Sequence, residues 1–454
     1  MSFNIRLSCL WIHRYTGLAM AAFLIIAGIT GTLLAFHEEL DDVFNHKLAQ
    51  VDVQDTSHLP IAVLHDRVVS AYPEHNFSSM PTSIAADRSA VFSVDRARGK
   101  AAQNQPKAPF QEVYVNPYDG NIIGTRDKDQ WALHNTMWKV FWLHRDLLLG
   151  DIGKWILGIV SVVWTVNCFI GFYLTFPRAL KKKNLQKKSS SKKRASFLKR
   201  WLPAWKIRTK SNLFKLNYDL HHAFGLWLWG MLFVIAWSSV GFNLQQVYRP
   251  IMQAVVGLEG RGEKQEKSNK PREKVGQTAN AGRAARIDAT KGKALNNEAG
   301  NVDTIDVNAM DIVSKANSIA YLSEQADIAA KNKGLTVREL LGIRWVEDEG
   351  QWQLRFKTDK DIGKKGGASS ITVNARTGSV ERVNFGYQNS SFGSKADQWL
   401  STLHMGHISQ GIGHVLYQIF LALIGLAVTV LSITGVYLWW KGRQQRLKAL
   451  QKGR

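Results

Sequence analysis

Four long stretches of the chain contain no charged side chain: Tyr15–Phe36, Trp155–Phe176, Ala223–Tyr248 and Val415–Trp440. About 20 apolar residues in a helix cross the roughly 30 Å hydrocarbon layer of a membrane. Each stretch reaches that length, whereas the buried core helices of soluble proteins are rarely so long without a charge. The pattern therefore predicts four transmembrane helices.

The polar segments between these stretches show a different periodicity. Val113–Thr125 and Ile371–Val383 each contain an alternating apolar run, an Asn, a turn ending in Gly and a second alternating run. This order is typical of a β-hairpin. Helical patterns precede both, at Ile61–Tyr72 and Ala309–Lys331. We therefore expect two α+β units, one after the first span and one after the third.

Short motifs recur in the two halves of the chain. The first span opens with His13 and the third with His221, and both openings read H-x-x-x-G-L. His144 and His404 each follow a Leu, and each precedes a glycine nine residues later, just before the second and fourth spans. The sequence thus predicts a four-helix transmembrane bundle built by a 2+2 internal duplication. A pseudo-twofold axis along the membrane normal would make equivalent residues face each other.

The excess of positive charge lies beside the spans. The chain has 59 Lys and Arg against 36 Asp and Glu, a net charge of +23. All of that excess falls in residues 1–14, 177–216 and 441–454, which contain no acidic residue. Lys and Arg near span ends remain in the cytoplasm, so both termini and the loop between spans two and three should be cytoplasmic. The positive charge then indicates which segments lie in the cytoplasm, and it does not indicate a nucleic-acid partner.

These patterns divide the chain into eight segments. The predicted boundaries are 1–36 for the N-terminus and first span, 37–150 for the first external unit, 151–176 for the second span, 177–219 for a basic cytoplasmic loop, 220–248 for the third span, 249–405 for the second external unit, 406–440 for the fourth span and 441–454 for a basic tail. Within the second external unit, 258–300 is rich in Lys, Arg, Gly, Asn and Ala. This composition predicts a disordered insertion.

Two repeat-related histidine pairs are the candidate chemistry. Duplication places His13 opposite His221 near the inner side and His144 opposite His404 near the outer side. Two imidazoles on opposite faces of one haem iron leave no open coordination position, which favours electron transfer. We therefore expect two haem b groups held by these four ligands. A histidine at a membrane interface can also simply hydrogen-bond a headgroup or a carbonyl.

Other residues compete for these roles. Reserve ligands are His222, His407, His414 and His37, which lack a matching partner in the other repeat or point away from the preferred ring. Arg14 and Arg145 each follow a candidate ligand and are candidate partners for haem propionates. His46, His58, His65 and His75 are interpreted as surface residues. The short basic internal segments cannot hold a flavin or nicotinamide domain, so an electron donor would be a separate molecule.

In this order the motifs resemble the PepSY-associated transmembrane family of bacterial inner-membrane proteins. The residues that carry the resemblance are H-R-Y-x-G-L at 13–18, V-x-V-N-P-x-x-G at 113–120, L-H-R-D-L-L-L-G at 143–150, D-L-H-H-A-F-G-L at 219–226 and L-H-M-G at 403–406. The resemblance implies a helical bundle in the inner membrane with two PepSY-like domains in the periplasm. It also implies iron-regulated reduction of a ferric siderophore by b-type haem.

The sequence supports two alternative functions. The first is a di-haem oxidoreductase that passes electrons from a cytoplasmic or quinol donor to a periplasmic ferric siderophore. The second is a haem-free membrane protein whose PepSY-like domains regulate a peptidase or sense a periplasmic ligand. The second function gives the paired histidines no role.

Overall fold

The computed structural model describes residues 4–95, 108–178, 196–259, 311–362, 368–408 and 411–452. The helices are α1 (Ile5–Leu34), α2 (His37–Ala49), α3 (Ile61–Ala71), α4 (Thr136–Asp146), α5 (Gly150–Thr175), α6 (Phe197–Trp201), α7 (Leu213–Trp227), α8 (Trp229–Asn243), α9 (Gln245–Val256), α10 (Ser318–Lys331), α11 (Phe392–Met405) and α12 (Ile412–Lys452). The strands are β1 (Ser79–Met80), β2 (Ala90–Ser93), β3 (Glu112–Val115), β4 (Ile122–Arg126), β5 (Val337–Val346), β6 (Gln351–Thr358), β7 (Ser369–Asn374) and β8 (Val380–Asn384).

Three of the described helices are long and apolar enough to cross a membrane, namely α1, α5 and α12. Helices α7 and α8 meet the same criterion only when they are taken together. The molecule is therefore a membrane-associated helical protein with several apolar helices and additional β-sheet.

The third apolar stretch differs from the single span that the sequence predicts. The backbone leaves α-helical geometry at Leu228 (φ −105°, ψ 4°), and α7 and α8 meet at an angle of 72°. The indole Nε1 of Trp229 then donates a hydrogen bond to the Cys168 carbonyl at 3.0 Å, which fixes the start of α8 against α5. Hydropathy does not reveal this bend because both halves of the stretch are apolar.

Small residues bring α1 and α12 close together. A Cβ atom on Gly28 would lie 2.4 Å from Oγ1 of Thr429, and one on Gly425 would lie 2.4 Å from Oγ1 of Thr32. Such small contact residues are typical of helix packing in membranes, where close van der Waals contact replaces the hydrophobic effect. Helix α1 also packs on α5, α8 packs on α5, and α7 packs on α12.

The two predicted hairpins are confirmed as antiparallel strand pairs. Strands β3 and β4 pair in a three-stranded sheet of order β2-β3-β4. Strands β7 and β8 pair in a five-stranded sheet of order β1-β5-β6-β7-β8. The helical pattern at Ile61–Tyr72 forms α3. The pattern at Ala309–Lys331 forms α10 only from Ser318, because residues 311–317 are bends and turns.

The polar regions that follow the first and third apolar stretches share one hydrophobic core. Strand β1 comes from the first region, yet it pairs antiparallel with β5 of the second, with Ser79 opposite Arg344. Buried side chains of both regions pack into a single cluster, including Leu64 and Phe92 from the first and Leu322 and Leu354 from the second. The two polar regions therefore fold as one joined unit.

His65 is a buried residue of this unit, so its interpretation as a surface residue is wrong. Its Nε2 donates to the Phe77 carbonyl at 2.5 Å, and the Lys315 ammonium donates to its Nδ1 at 3.1 Å. Burial lowers the pKa of His65, and the nearby Lys315 charge adds to the effect. The neutral ring thus links α3 to the segment before α10.

Most of the predicted insertion at 258–300 lies outside the described residues, as does 179–195 of the basic loop. The first insertion residue, Leu258, is buried and packs with Val240 and Leu244. The prediction of disorder is therefore wrong at Leu258, because this apolar side chain completes the packing at the end of α9.

Candidate functional site

His13 and His221 face each other between α1 and α7. Their ring centroids are 6.3 Å apart and their planes make an angle of 71°. The two residues occupy the matching positions in the H-x-x-x-G-L motifs at 13–18 and 221–226. The structure therefore brings together the two histidines that the recurring motifs pair.

His144 and His404 form a second pair with nearly the same geometry. Their ring centroids are also 6.3 Å apart, and their planes make an angle of 75°. His144 lies near the end of α4 and His404 near the end of α11, just before the helices α5 and α12. Phe242 packs edge-on against the His404 ring at a centroid distance of 5.2 Å.

Buried polar side chains engage both rings of the first pair. Oδ1 of Asn167 lies 3.1 Å from Nδ1 of His13, while the amide nitrogen of Asn167 donates to Oγ1 of Thr16 at 2.7 Å. Nδ1 of His221 lies 3.0 Å from the Leu431 carbonyl and 3.1 Å from Oγ1 of Thr434. Asn167 and Thr434 are each at most 3% exposed.

Hydroxyl groups engage both rings of the second pair. Oγ1 of Thr30 lies 3.0 Å from Nδ1 of His144, and Oγ of Ser238 lies 2.7 Å from Nδ1 of His404. Thr30 is 5% exposed and Ser238 is 3% exposed. Both hydroxyl residues come from apolar helices, α1 and α8, so they face the site from within the helical packing.

These contacts specify the protonation pattern of the imidazoles. The hydroxyl protons of Thr30 and Ser238 are already donated to carbonyls four residues earlier, those of Ile26 and Val234. Each hydroxyl oxygen can then only accept the Nδ1 proton of its histidine. The lone pair of Nε2 is left available, which is the arrangement that a metal-binding imidazole needs.

The same reasoning applies to the first pair. The Asn167 amide nitrogen donates to Oγ1 of Thr16, so the Oδ1 oxygen is the atom that faces His13. This oxygen accepts the Nδ1 proton of His13. The Leu431 carbonyl can only accept, so Nδ1 of His221 carries a proton as well. All four rings therefore carry their Nδ1 proton in a hydrogen bond, so Nε2 is the ring atom that each histidine can offer to a metal.

Glycines lie against the Cε1 edges of three of these rings. A Cβ on Gly171 would lie 3.0 Å from Cε1 of His13, and one on Gly435 would lie 3.3 Å from Cε1 of His221. A Cβ on Gly31 would lie 3.2 Å from Cε1 of His144. In contrast, Gly17 and Gly225, one helical turn after His13 and His221, face open space with no atom within 4 Å of a Cβ. Room for a flat group thus exists beside the first pair.

Comparison with known proteins places the chain in a family. Residues 10–442, nearly the whole chain, match the family described as the PepSY-associated TM region. The protein belongs to the PepSY-associated transmembrane family. A search of the curated proteins gave no significant match.

The reserve histidines of this PepSY-associated transmembrane protein have other contacts, although the His222 ring lies 6.1 Å from the His221 ring. The His222 ring stacks on Tyr218 at a centroid distance of 3.9 Å, and its Nδ1 donates to the Tyr218 carbonyl. His37 packs edge-on against Trp138 at 5.5 Å. His407 and His414, in the segment between α11 and α12 and at the start of α12, are partly buried.

The two arginines have different surroundings. Arg145 already binds the buried carboxylate of Asp146 through Nε at 3.0 Å and Nη2 at 2.5 Å. Its charge is thereby largely compensated, which weakens it as a propionate partner. Arg14 is partly buried, and no hydrogen bond or ion pair of its side chain is found among the described residues.

Sequence reasoning missed the residues that orient the rings. Thr30 and Ser238 occupy equivalent positions, since the shift that relates His13 to His221 also relates them. Extending the repeat alignment into the spans would have found this matched pair of hydroxyls. Asn167 gives no such signal. The shift that relates Gly171 to Gly435 places Leu431 at the matching position, and Leu431 contacts His221 through its backbone carbonyl.

Proposed function

We propose that this PepSY-associated transmembrane protein is a di-haem electron-transfer protein that reduces ferric siderophores outside the bacterial inner membrane. One observation carries the proposal: two histidine pairs have the same centroid separation of 6.3 Å, and every Nδ1 is engaged by a hydrogen-bond acceptor. A metal–imidazole bond of about 2 Å puts the centroids of two opposed axial imidazoles about 6 Å apart. The observed distances support one haem b at each pair.

A four-helix bundle with a 2+2 duplication is part of this proposal. The contacts of α1 with α12 and α5 resemble those of the bent pair, in which α7 packs on α12 and α8 packs on α5. The contact of α4 with α1 has its counterpart in the contact of α11 with α8. These matched contacts support a pseudo-twofold arrangement of spans and PepSY-like domains.

The two sites would lie near opposite membrane surfaces. His13 and Thr30 are both on α1, and 17 residues at 1.5 Å per residue separate them by about 25 Å along the helix. The basic stretches at 1–14, 177–216 and 441–454 put His13 and His221 on the cytoplasmic side. His144 and His404 would then serve the periplasmic side.

The chain's own residues would hold and orient the cofactors. Haem b with two imidazole ligands supplies one-electron redox chemistry without an open coordination position. Asn167, Thr30, Ser238 and the Thr434–Leu431 turn fix each imidazole in the tautomer that presents Nε2. The four histidines are half-buried among apolar helices, which would limit the access of water to the rings, and the polar contacts would raise the basicity of the ligands.

The substrate would be a ferric siderophore at the periplasmic end, and the electrons would come from a cytoplasmic or quinol donor. Each Fe(III) takes up one electron to become Fe(II). The oxygen ligands of a siderophore hold the hard ferric ion much more tightly than the ferrous ion. Reduction would therefore release the iron.

The proposed function predicts that chemically reduced protein is reoxidised by a ferric siderophore. Purified protein reduced with dithionite under anaerobic conditions should lose its reduced haem absorption when a ferric hydroxamate is added, with one Fe(II) formed per electron lost. The gallium(III) complex of the same siderophore is the control, since it presents the same ligand without a reducible ion. Reduced absorption that persists with the ferric complex would exclude this substrate class.

The hydroxyl of Ser238 should help to retain the outer haem. Ser238→Ala removes the acceptor of the His404 Nδ1 proton, and loss of such an outer-shell contact typically weakens metal-site affinity by about 10–100-fold. The measurement is the rate of haem transfer from the purified protein to apomyoglobin, together with the midpoint potentials.

Ser239→Ala is the matched control, because its hydroxyl bonds only the Ile235 carbonyl of the same helix. We expect the Ser239 variant to retain haem like the wild type. Equal haem loss from both variants would remove the orienting role assigned to Ser238.

A further inference from the structure

A basic surface lies at the same end of the helices as His13 and His221. An open cavity of about 420 Å³ is lined by Ile207, Arg208, Thr209, Lys210, Ser211 and Lys215. A smaller one of about 160 Å³ adjoins it through Arg208 and is lined by Lys199, Leu202, Pro203 and Lys206. We call these residues the 199–215 surface. It contains five cationic side chains and no acidic one.

Ion pairs within the protein neutralise only part of the positive charge of the 199–215 surface. Arg208 binds the buried carboxylate of Asp219 through Nε at 2.7 Å and through its backbone nitrogen at 3.1 Å. This pair anchors the loop to α7. Lys206, Lys210 and Lys215 are exposed, and no ion pair of theirs is found in the described part of the chain. Their charges are therefore available to an external anion.

Large apolar side chains surround the same cations. Exposed side chains near the cavities are Phe197 (50%), Leu198 (69%), Leu202 (52%), Leu213 (71%) and Phe214 (38%). Such a combination of exposed apolar groups and lysines is typical of protein segments that lie in the headgroup region of a bilayer. These apolar groups favour a lipid over an acidic soluble protein as the partner, because an acidic protein surface would pair with the lysines and leave the apolar side chains in water.

Aromatic contacts hold this segment at the level of a membrane surface. The Trp201 indole donates to Oγ1 of Thr175 at 3.1 Å, at the last residue of α5. Its ring packs edge-on against Phe176 at 5.3 Å and against Phe172 at 6.0 Å. Arg6 donates to the Leu174 carbonyl at 2.6 Å at the same helix end. The 199–215 surface is thus fixed beside the end of a spanning helix.

We propose that the 199–215 surface is a binding site for an anionic phospholipid. The phosphate headgroup would occupy the cavity beside Lys210 and Lys215, and the acyl chains would contact the exposed leucines and phenylalanines. This site is independent of the haem proposal, since none of its residues contacts the histidine pairs. It would select a lipid with net negative charge over a zwitterionic lipid of the same chain length.

Native mass spectrometry of the full chain in detergent tests the site. The probes are phosphatidylglycerol and phosphatidylcholine with identical acyl chains, added at equal concentration. We expect wild-type protein to retain phosphatidylglycerol in preference. The double variant Lys210→Gln/Lys215→Gln should retain it about 30-fold less, at roughly a fivefold loss per lysine. Lys448→Gln is the control, because Lys448 is an exposed lysine of α12 outside the surface.

The outcomes separate the alternatives. Equal retention of the two lipids, or unchanged phosphatidylglycerol retention in the double variant, would overturn the site. Competition by soluble glycerol phosphate at the concentration of the lipid would show that the cavity binds free phosphate, and would overturn the lipid assignment. Haem content is expected to be unchanged in the double variant, which distinguishes failure of this proposal from failure of the proposed function.

Discussion

Replacement of His221 by alanine is expected to lower the haem content of the purified protein from two per chain to about one. His221 and His13 face each other at 6.3 Å, so the variant leaves the inner site with a single imidazole. The second site has its own two histidines, one of which contacts Thr30, about 25 Å from His13 along α1, and it should keep its haem. Haem content per chain is measured by the pyridine haemochromogen method on detergent-purified protein.

His222→Ala is the matched control for this variant. His222 is the next residue of α7, but its ring stacks on Tyr218 at 3.9 Å and its Nδ1 is engaged by the Tyr218 carbonyl. We expect the His222 variant to retain two haems. If His222→Ala loses a haem and His221→Ala does not, the ligand assignment at the inner site is wrong.

Replacement of His404 by alanine should separate reduction of the inner haem from delivery of electrons to the substrate. His404 and His144 form the pair that the proposed function places on the periplasmic side, so the variant is expected to lose this outer haem and keep the inner one. The inner haem should still be reduced by dithionite. Its reoxidation by a ferric siderophore should be at least about 100-fold slower, a larger loss than outer-shell changes produce.

Stopped-flow absorbance under anaerobic conditions measures this rate. The control is His407→Ala, three residues further along the chain and outside the outer pair. The His407 variant should contain two haems and reduce the siderophore at the wild-type rate. Unchanged reoxidation in His404→Ala would mean that electrons leave the protein without the outer pair.

Recurring motifs explain why the sequence predicts which histidines lie together. His13, His144, His221 and His404 were selected from 13 histidines because their flanking motifs repeat. A repeat also relates three-dimensional positions, so pairing in the sequence translated into proximity in space. The orienting groups were harder to find, because Thr30 and Ser238 are ordinary helix residues whose role depends on which way their hydroxyls face.

Other features depend on long-range packing that local patterns do not encode. The two-residue strand Ser79–Met80 is too short for an alternation signal, yet it pairs with β5 and joins the two external regions. The bend at Leu228 falls within an apolar run, where hydropathy is uniform. His65 appeared as a polar residue in a polar region, but α3 turns it toward the shared core. These elements are determined by tertiary contacts.

The most direct test of the proposed function is the haem content of the wild-type chain. Protein purified from haem-replete cells should contain two b-type haems per 454-residue chain, and its oxidised form should give the low-spin spectrum of bis-imidazole iron. A haem-free protein with intact helical content would contradict the account. That result would favour a membrane protein whose PepSY-like domains regulate a peptidase or sense a ligand.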